Sequence, residues 1–324
     1  VPIRSPIQEK KMSDLLKSID ARTKLAGTNK LEILMFSLGM DMRSGREETF
    51  GINVFKVREV MRIPAITRAP EMPDSVEGMV SLRGALVPVI DLAKYIGITT
   101  ESKPEIMIVT EYNGHTQGFL VRAVDNILRL DWSEMRVPPT MLTAEMGGLV
   151  TAITELKDKR LVMMMDVEKV LSETGHFDSD EMIFKSVMPL GKERTVFFAD
   201  DSTVARSQIS RTLDAMQVKY ISAINGRQAW QELSKMADHA DAAKIPLKQM
   251  VQVILTDVEM PEMDGYMLTR KIKSDKRFAG IPVVMHSSLS SSANQQLGMA
   301  VGVDEYVPKF EPNKLAQTLT RLLG

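Results

Sequence analysis

Cysteine is absent from the sequence, which removes disulfides, thiol nucleophiles and cysteine-ligated zinc from the possible chemistry. Histidine is scarce, at four residues in 324. His115 and His176 have no partner at ligand spacing, so surface residence is expected for both rather than metal ligation. Net charge is almost absent as well: 41 basic and 42 acidic residues leave −1, which argues against nucleic-acid binding by bulk electrostatics. No apolar run approaches the roughly 20 residues a membrane-spanning helix needs, and the amino end shows no signal-peptide pattern. A soluble, cytoplasmic protein without membrane insertion is therefore expected. No Gly-rich nucleotide box is visible in either half, which disfavours a kinase. Methionine, by contrast, is abundant at 24 residues, and its adaptable thioether suits core filling better than metal binding. The length suits about two domains, each able to bury its own core.

The richest stretch runs from Val253 to Gly265 and reads VILTDVEMPEMDG. Its short apolar, β-branched run suits a strand buried on both faces of a parallel sheet, and it stops at Asp257 before a Pro- and Gly-containing turn. A lone aspartate there is equally well an N-cap or turn residue. Its companions are more informative. Val196 to Phe198 form another apolar run that ends in Asp200 and Asp201, with Ser202 placed to cap the next helix. The run Val283 to Met285 leads to Ser287, and Tyr306 to Val307 leads to Lys309. A parallel sheet would gather all of these at the carboxyl ends of its strands, where ligands collect in open α/β sheets. Clustered carboxylates raise one another's pKa unless a cation sits among them, and a hard divalent ion with oxygen ligands answers that need.

In the order Asp200-Asp201, Asp257 within DVEMPEMDG, Ser287 and Lys309, these residues resemble the receiver domains of bacterial two-component signalling. The resemblance implies a (βα)5 fold with a central five-stranded parallel sheet. It implies Mg²⁺ held by Asp201, Asp257 and the backbone carbonyl of Glu259, with Asp200 acting largely through water. It also implies Asp257 as phosphoacceptor, Lys309 as the neutralising cation, and Ser287 and Tyr306 as the switch. Two features depart from the family pattern. Lys309 is followed by Phe310 rather than proline, and Ala237 to Met250 lengthen the connection before the central strand. That longer connection is expected to be an extended helix and a loop, a solvated insertion rather than a binding element. His286 lies beside the active edge, but receivers take their phosphoryl group from a partner's histidine, so no catalytic role is expected for it.

The amino-terminal half reads differently. Val1 to Lys11 has no period, Met12 to Leu25 suits a short amphipathic helix, and from Lys30 to about Glu173 short strands alternate with turns. The expected strands are Glu32 to Leu38, Thr49 to Asn53, Val57 to Arg62, Leu86 to Ile90, Ile106 to Thr110, Gln117 to Val121, Ile127 to Leu130 and Arg160 to Met165. Asn113 and Gly114 give a hairpin signal. Two small barrels are expected, since closure removes exposed edges.

Ile66 to Ile98, with Arg83-Gly84 before the strand Val87 to Leu92, resembles CheW-like coupling domains, and GINVFKVREVMR, GFLVRAVDNILRLDW and MMMDVEKVL fit the same family. This implies an all-β double barrel with partner contacts at Arg83 and Gly84. Arg83 reads equally well as an exposed turn charge, while Gly84 answers a backbone requirement on either reading.

The expected divisions are therefore an arm and helix over 1–29, a coupling domain over 30–173, a linker over 174–194 and a receiver over 195–324. Little sequence follows the last receiver motif, so a DNA-binding output domain is not expected. The order resembles CheV-type chemotaxis proteins. It implies a non-enzymatic adaptor between the cytoplasmic tip of chemoreceptors and a CheA-type histidine kinase, recruited to receptor arrays at the inner membrane. The alternative is a phosphate sink that drains phosphoryl groups from the kinase.

Overall fold

The computed structural model describes residues 30–68, 70–112, 115–174, 189–190, 193–288, 292–309 and 311–324. The expected arm and helix of 1–29, the Asn113-Gly114 turn, His176, most of the 174–194 linker and Phe310 lie outside the described residues. The chain divides into two compact units, the first comprising Lys30–Leu130 and Pro138–Val167 and the second Asp131–Val137 together with the described residues of Glu168–Gly324.

The strands of the amino-terminal half are β1 (Lys30–Ser37), β2 (Thr49–Asn53), β3 (Val57–Arg62), β4 (Val76–Leu82), β5 (Ala85–Asp91), β6 (Ile106–Tyr112), β7 (His115–Val121), β8 (Ala123–Asp131), β9 (Val150–Glu155) and β10 (Leu161–Met165). Among the described residues three α-helices accompany them: α1 (Leu92–Tyr95), α2 (Thr140–Glu145) and α3 (Val167–Thr174). They build two five-stranded sheets, ordered β8-β1-β2-β10-β9 and β3-β6-β7-β5-β4. In the second sheet β3 and β4 are opposite edges, yet Arg83 beyond β4 reaches Glu59 on β3 at 3.1 Å. The sheet therefore curls round its core of Val80, Val87, Val89, Met107, Val109 and Leu120.

Strands β4 and β9 were not foreseen. Val76–Leu82 is interrupted by Glu77, Gly78 and Ser81, and Val150–Glu155 by Thr151 and Thr154, so neither holds a continuous apolar run. In β9 only alternate positions are buried, the period-2 signature of a strand with one wet face.

The second unit carries β11 (Thr195–Ala199), β12 (Lys219–Ala223), β13 (Val253–Thr256), β14 (Val283–Ser287) and β15 (Glu305–Pro308). Its helices are α4 (Thr203–Ala215), α5 (Gly226–Ala243), α6 (Gly265–Ser274), α7 (Ser292–Ala300) and α8 (Pro312–Leu323). The sheet order is β12-β11-β13-β14-β15 and every pair is parallel, as expected for the receiver class. Alternation along the strands feeds two cores. Phe197, Ile254 and Val283 pack with α5 and α6, while Val196, Phe198, Leu255 and Val307 pack with α4 and α8. Burying each such side chain stabilises the fold by about 1.5–3 kcal/mol.

One expectation is corrected here. The connection before β13 is an extended helix and loop, but it is not merely solvated. α5 runs on to Ala243 and turns off at Lys244, and Ala237, Ala240 and Leu247 are buried in the same core as Phe197. The apolar residues recur at helical spacing, so the extension packs instead of projecting.

Candidate functional site

Four strands of the second unit end at one edge, and their order reverses between β11 and β13, the switch point where open α/β sheets bind ligands. Asp200 and Asp201 follow β11, Asp257 follows β13, Ser287 closes β14 and Lys309 follows β15. The structure thus brings Asp200, Asp201, Asp257 and Lys309 together, and the strand that ends in Ser287 lies in the same sheet.

Local folding fixes each group. Asp257 N–H donates to Ala199 O at 2.8 Å and its Oδ1 accepts from Val258 N–H at 2.6 Å, which orients the carboxylate. The turn behind it demands glycine: a Cβ on Gly265 would lie 1.9 Å from the Asp257 carbonyl oxygen. Asp264 caps α6 by accepting from Met267 N–H at 2.6 Å, and burial pushes its carboxyl up to about 6. Ser202 caps α4, as its position predicted, and its N–H donates to Asp200 Oδ1 at 2.9 Å.

Asp200, Asp201 and Asp257 each offer an oxygen such that these atoms lie within 4.8 Å of one another. Lys309, only 1% exposed, sends its Nζ to 2.9 Å from Asp257 Oδ2 and 3.0 Å from Asp200 Oδ2. The Asp257 contact is a hydrogen bond, whereas the Asp200 contact is an ion pair without hydrogen-bond alignment, leaving Asp200 Oδ2 without a bonded partner. The same Nζ lies 3.4 Å from Glu168 Oε2.

The electrostatics report a shortage of positive charge. Burial pushes the Asp200 carboxyl up to about 7 against the pull of Lys309, and Asp257 and Glu168 push it further the same way. Burial alone would lower the Lys309 pKa, but Asp200, Asp257, Glu168 and Asp201 outweigh it and hold the ammonium well above its ordinary range. Crowded, hard oxygen donors with an unbonded, buried carboxylate oxygen fit a divalent cation such as Mg²⁺.

Around this centre, the Ser287 side chain hydrogen-bonds the Tyr306 hydroxyl, and burial raises the Tyr306 pKa. Tyr306 also packs within 3.4 Å of the place a Cβ would take on Gly298 of α7. His286 is buried, and burial, with Lys309 adding, depresses its pKa to about 3, so it is neutral and supplies no charge.

Sequence reasoning missed two participants. Arg206 donates to the carbonyls of Asp200 and Asp201 at 2.9 and 2.8 Å, which its position one turn into α4 could have suggested. Glu168 had no local signal, because it comes from α3, 141 residues before Lys309.

In the first unit, Arg83 and Gly84 form the two-residue loop between β4 and β5, with φ of 51° and 86°. Two positive φ values are what a type I′ hairpin turn requires, and Gly84 adopts one without strain. The Arg83 side chain is 71% exposed and pairs with Glu59, so it stands at the surface beside the exposed Leu86.

Fold and site together define a receiver domain on the same chain as a CheW-like domain. The CheW-like domain model matches residues 34–175 and the response regulator receiver domain model matches residues 196–320. The chain is 30% identical over 303 residues to chemotaxis protein CheV3 of Helicobacter pylori, covering 91% of this chain and 95% of that protein. It is 27% identical over 331 residues to CheV1 of the same organism, covering 96% and 99%. Among solved structures, scaffolding protein TtCheW of Thermoanaerobacter tengcongensis is 31% identical, with TM-score 0.37, over 42% of this chain and 84% of that one. The chain belongs to the CheV family of chemotaxis proteins and is a chemotaxis coupling adaptor with a receiver domain.

Proposed function

We propose that this adaptor couples the cytoplasmic tip of chemoreceptors to a CheA-type histidine kinase, and that phosphorylation of Asp257 modulates the coupling. The coupling module is assigned to 30–173, the linker to 174–194 and the receiver to 195–324. Recruitment to receptor arrays at the inner membrane follows from those partners; among the described residues no helix is long and apolar enough to cross a membrane. The observation that carries the reading is the pocket itself: Asp257, oriented by backbone contacts, lies 2.9 Å from a buried lysine within a carboxylate cluster, on a chain that also matches the CheW-like family.

Asp201, Asp257 and the Glu259 carbonyl would hold Mg²⁺, with Asp200 acting through water. When bound, the ion supplies positive charge for the phosphoryl oxygens. Asp257 attacks phosphorus as the P–N bond to the donor imidazole breaks, and the imidazole retains that electron pair and takes up a proton. Lys309 neutralises an oxygen of the transferring group, and the product is an acyl phosphate. Ser287 then donates to a phosphoryl oxygen, and Tyr306 follows it as the switch. The chain's own role is that of an acceptor and coupler rather than of an enzyme acting on other substrates.

The test is reconstitution with receptor and kinase. The expected result is that Asp257→Ala abolishes phosphoryl uptake and removes the phosphorylation-dependent part of the coupling, while Arg83→Glu weakens binding to kinase or receptor. Uptake in Asp257→Ala at the wild-type rate sinks the assignment. Rapid turnover of phosphoryl groups without altered coupling would indicate a phosphate sink.

A further inference from the structure

Glu168 is not accounted for by the receiver pattern. It lies outside the receiver-matched span 196–320 and within the CheW-like span 34–175. It nevertheless belongs to the same compact unit as Lys309. Its side chain is 1% exposed and its Oε2 lies 3.4 Å from Lys309 Nζ. Its neighbour Lys169 pairs with Glu173. A second tie in this unit touches the other side of the phosphorylation loop: Glu262 N–H donates to Trp132 O at 3.0 Å. The turn after Asp257 and the lysine after β15 are thus each held by a residue from outside the receiver-matched span.

We propose that Glu168 positions Lys309 in the unphosphorylated protein and is the anion that a phosphoryl group on Asp257 must displace. The proposal rests on the reading of Asp257 as phosphoacceptor. A carboxylate this buried is retained in its charged form only by strong pairing, and Lys309 supplies it. Lys309 is shared among Glu168, Asp200 and Asp257. Phosphorylation replaces the single charge of the Asp257 carboxylate with an acyl phosphate of up to about two negative charges and three acceptor oxygens beside the same Nζ, a net gain of about one charge. Lys309 then turns to the stronger, closer anion. Glu168 then shares Lys309 with a dianion in a buried pocket, and the low-cost response to that repulsion is to leave the pocket. Because Glu168 stands in the first turn of α3, its departure unseats Val167–Thr174. Linkage makes the effect reciprocal: to the extent that phosphorylation expels Glu168, a seated Glu168 resists phosphorylation. A signal generated at Asp257 thereby reaches a helix within the CheW-like span.

Hydrogen exchange on the full chain in saturating Mg²⁺, with and without beryllofluoride as phosphoryl mimic, tests this directly. Peptides around Asp257 should become protected, while those spanning 167–174 exchange at least about threefold faster. In parallel, Glu168→Gln should take up phosphoryl groups from acetyl phosphate about threefold to tenfold faster than the wild type, since one repelling charge is gone. Glu168→Asp, which keeps the charge, should stay closer to the wild-type rate. Protection around Asp257 with no change at 167–174 would overturn the role of Glu168 and leave the phosphoacceptor reading standing. Equal uptake by Glu168→Gln and wild type would do the same. No protection at Asp257 and no uptake by the wild type would overturn both. If Glu168→Gln fails to fold, the exchange comparison on the unaltered chain still decides.

Discussion

Lys309 is the residue on which the charge balance of the pocket turns. Its ammonium faces Asp257, Asp200 and Glu168, all buried. Removing one member of a buried ionic cluster leaves the others uncompensated, so Lys309→Met should destabilise the second unit by about 3–5 kcal/mol, read as a lower urea midpoint. His286 gives a pH test with a definite sign. Its folded pKa is depressed to about 3 by burial, whereas the unfolded imidazole titrates near 6.5. Below 6.5 the unfolded chain takes up a proton that the folded chain refuses, so the contribution of this group is complete above 6.5 and is lost as pH falls toward 3. Wild type should therefore lose about 2 kcal/mol relative to His286→Gln between pH 6.5 and 5. Ring resonances of His286 that titrate near 6.5 in the folded protein would contradict the assignment.

At the scale of elements, the pocket depends on turns that cannot tolerate a side chain and on helices that begin with a cap. Gly265→Ala would drive a Cβ into the Asp257 carbonyl, which has no flexible end to move aside. A loss of more than about 2 kcal/mol is expected, with phosphoryl uptake falling as well, because the strand end that carries Asp257 must shift. Ser202→Ala, in contrast, removes one cap bond to Ala205 N–H and should cost about 1 kcal/mol. A comparable loss from both variants in chemical denaturation would mean that the turn relaxes easily. The elements also show where sequence reading stops. β13, β14 and the amino end of α4 were legible because apolar runs and a serine cap are local signals. β4 and β9 were not, because half-buried strands carry mixed residues whose faces are set by their neighbours.

At the scale of the whole chain, a cation bound at the carboxylate cluster should act on one unit alone. Ligand at about 100 times its dissociation constant stabilises the state that binds it by about 2.7 kcal/mol. Calorimetry should therefore show the transition of the second unit rising with Mg²⁺ while that of the first stays fixed, and Asp201→Ala should abolish the shift. A shift equal in wild type and Asp201→Ala would place the ion elsewhere.

The sequence by itself determined the domain order, the class of the carboxyl-terminal half and the set Asp200, Asp201, Asp257, Ser287 and Lys309. Each of those residues closes a strand or follows it within two positions, and strand direction carries them to one sheet edge. The tertiary structure decided how charge is shared there. Glu168 and Arg206 enter through α3 and α4, and the packing of Ala237, Ala240 and Leu247 turns an apparent insertion into core. Local signals identify a side chain's own element. Which charges share a buried pocket depends on contacts between distant segments, and folding brings Glu168 to a lysine 141 residues away.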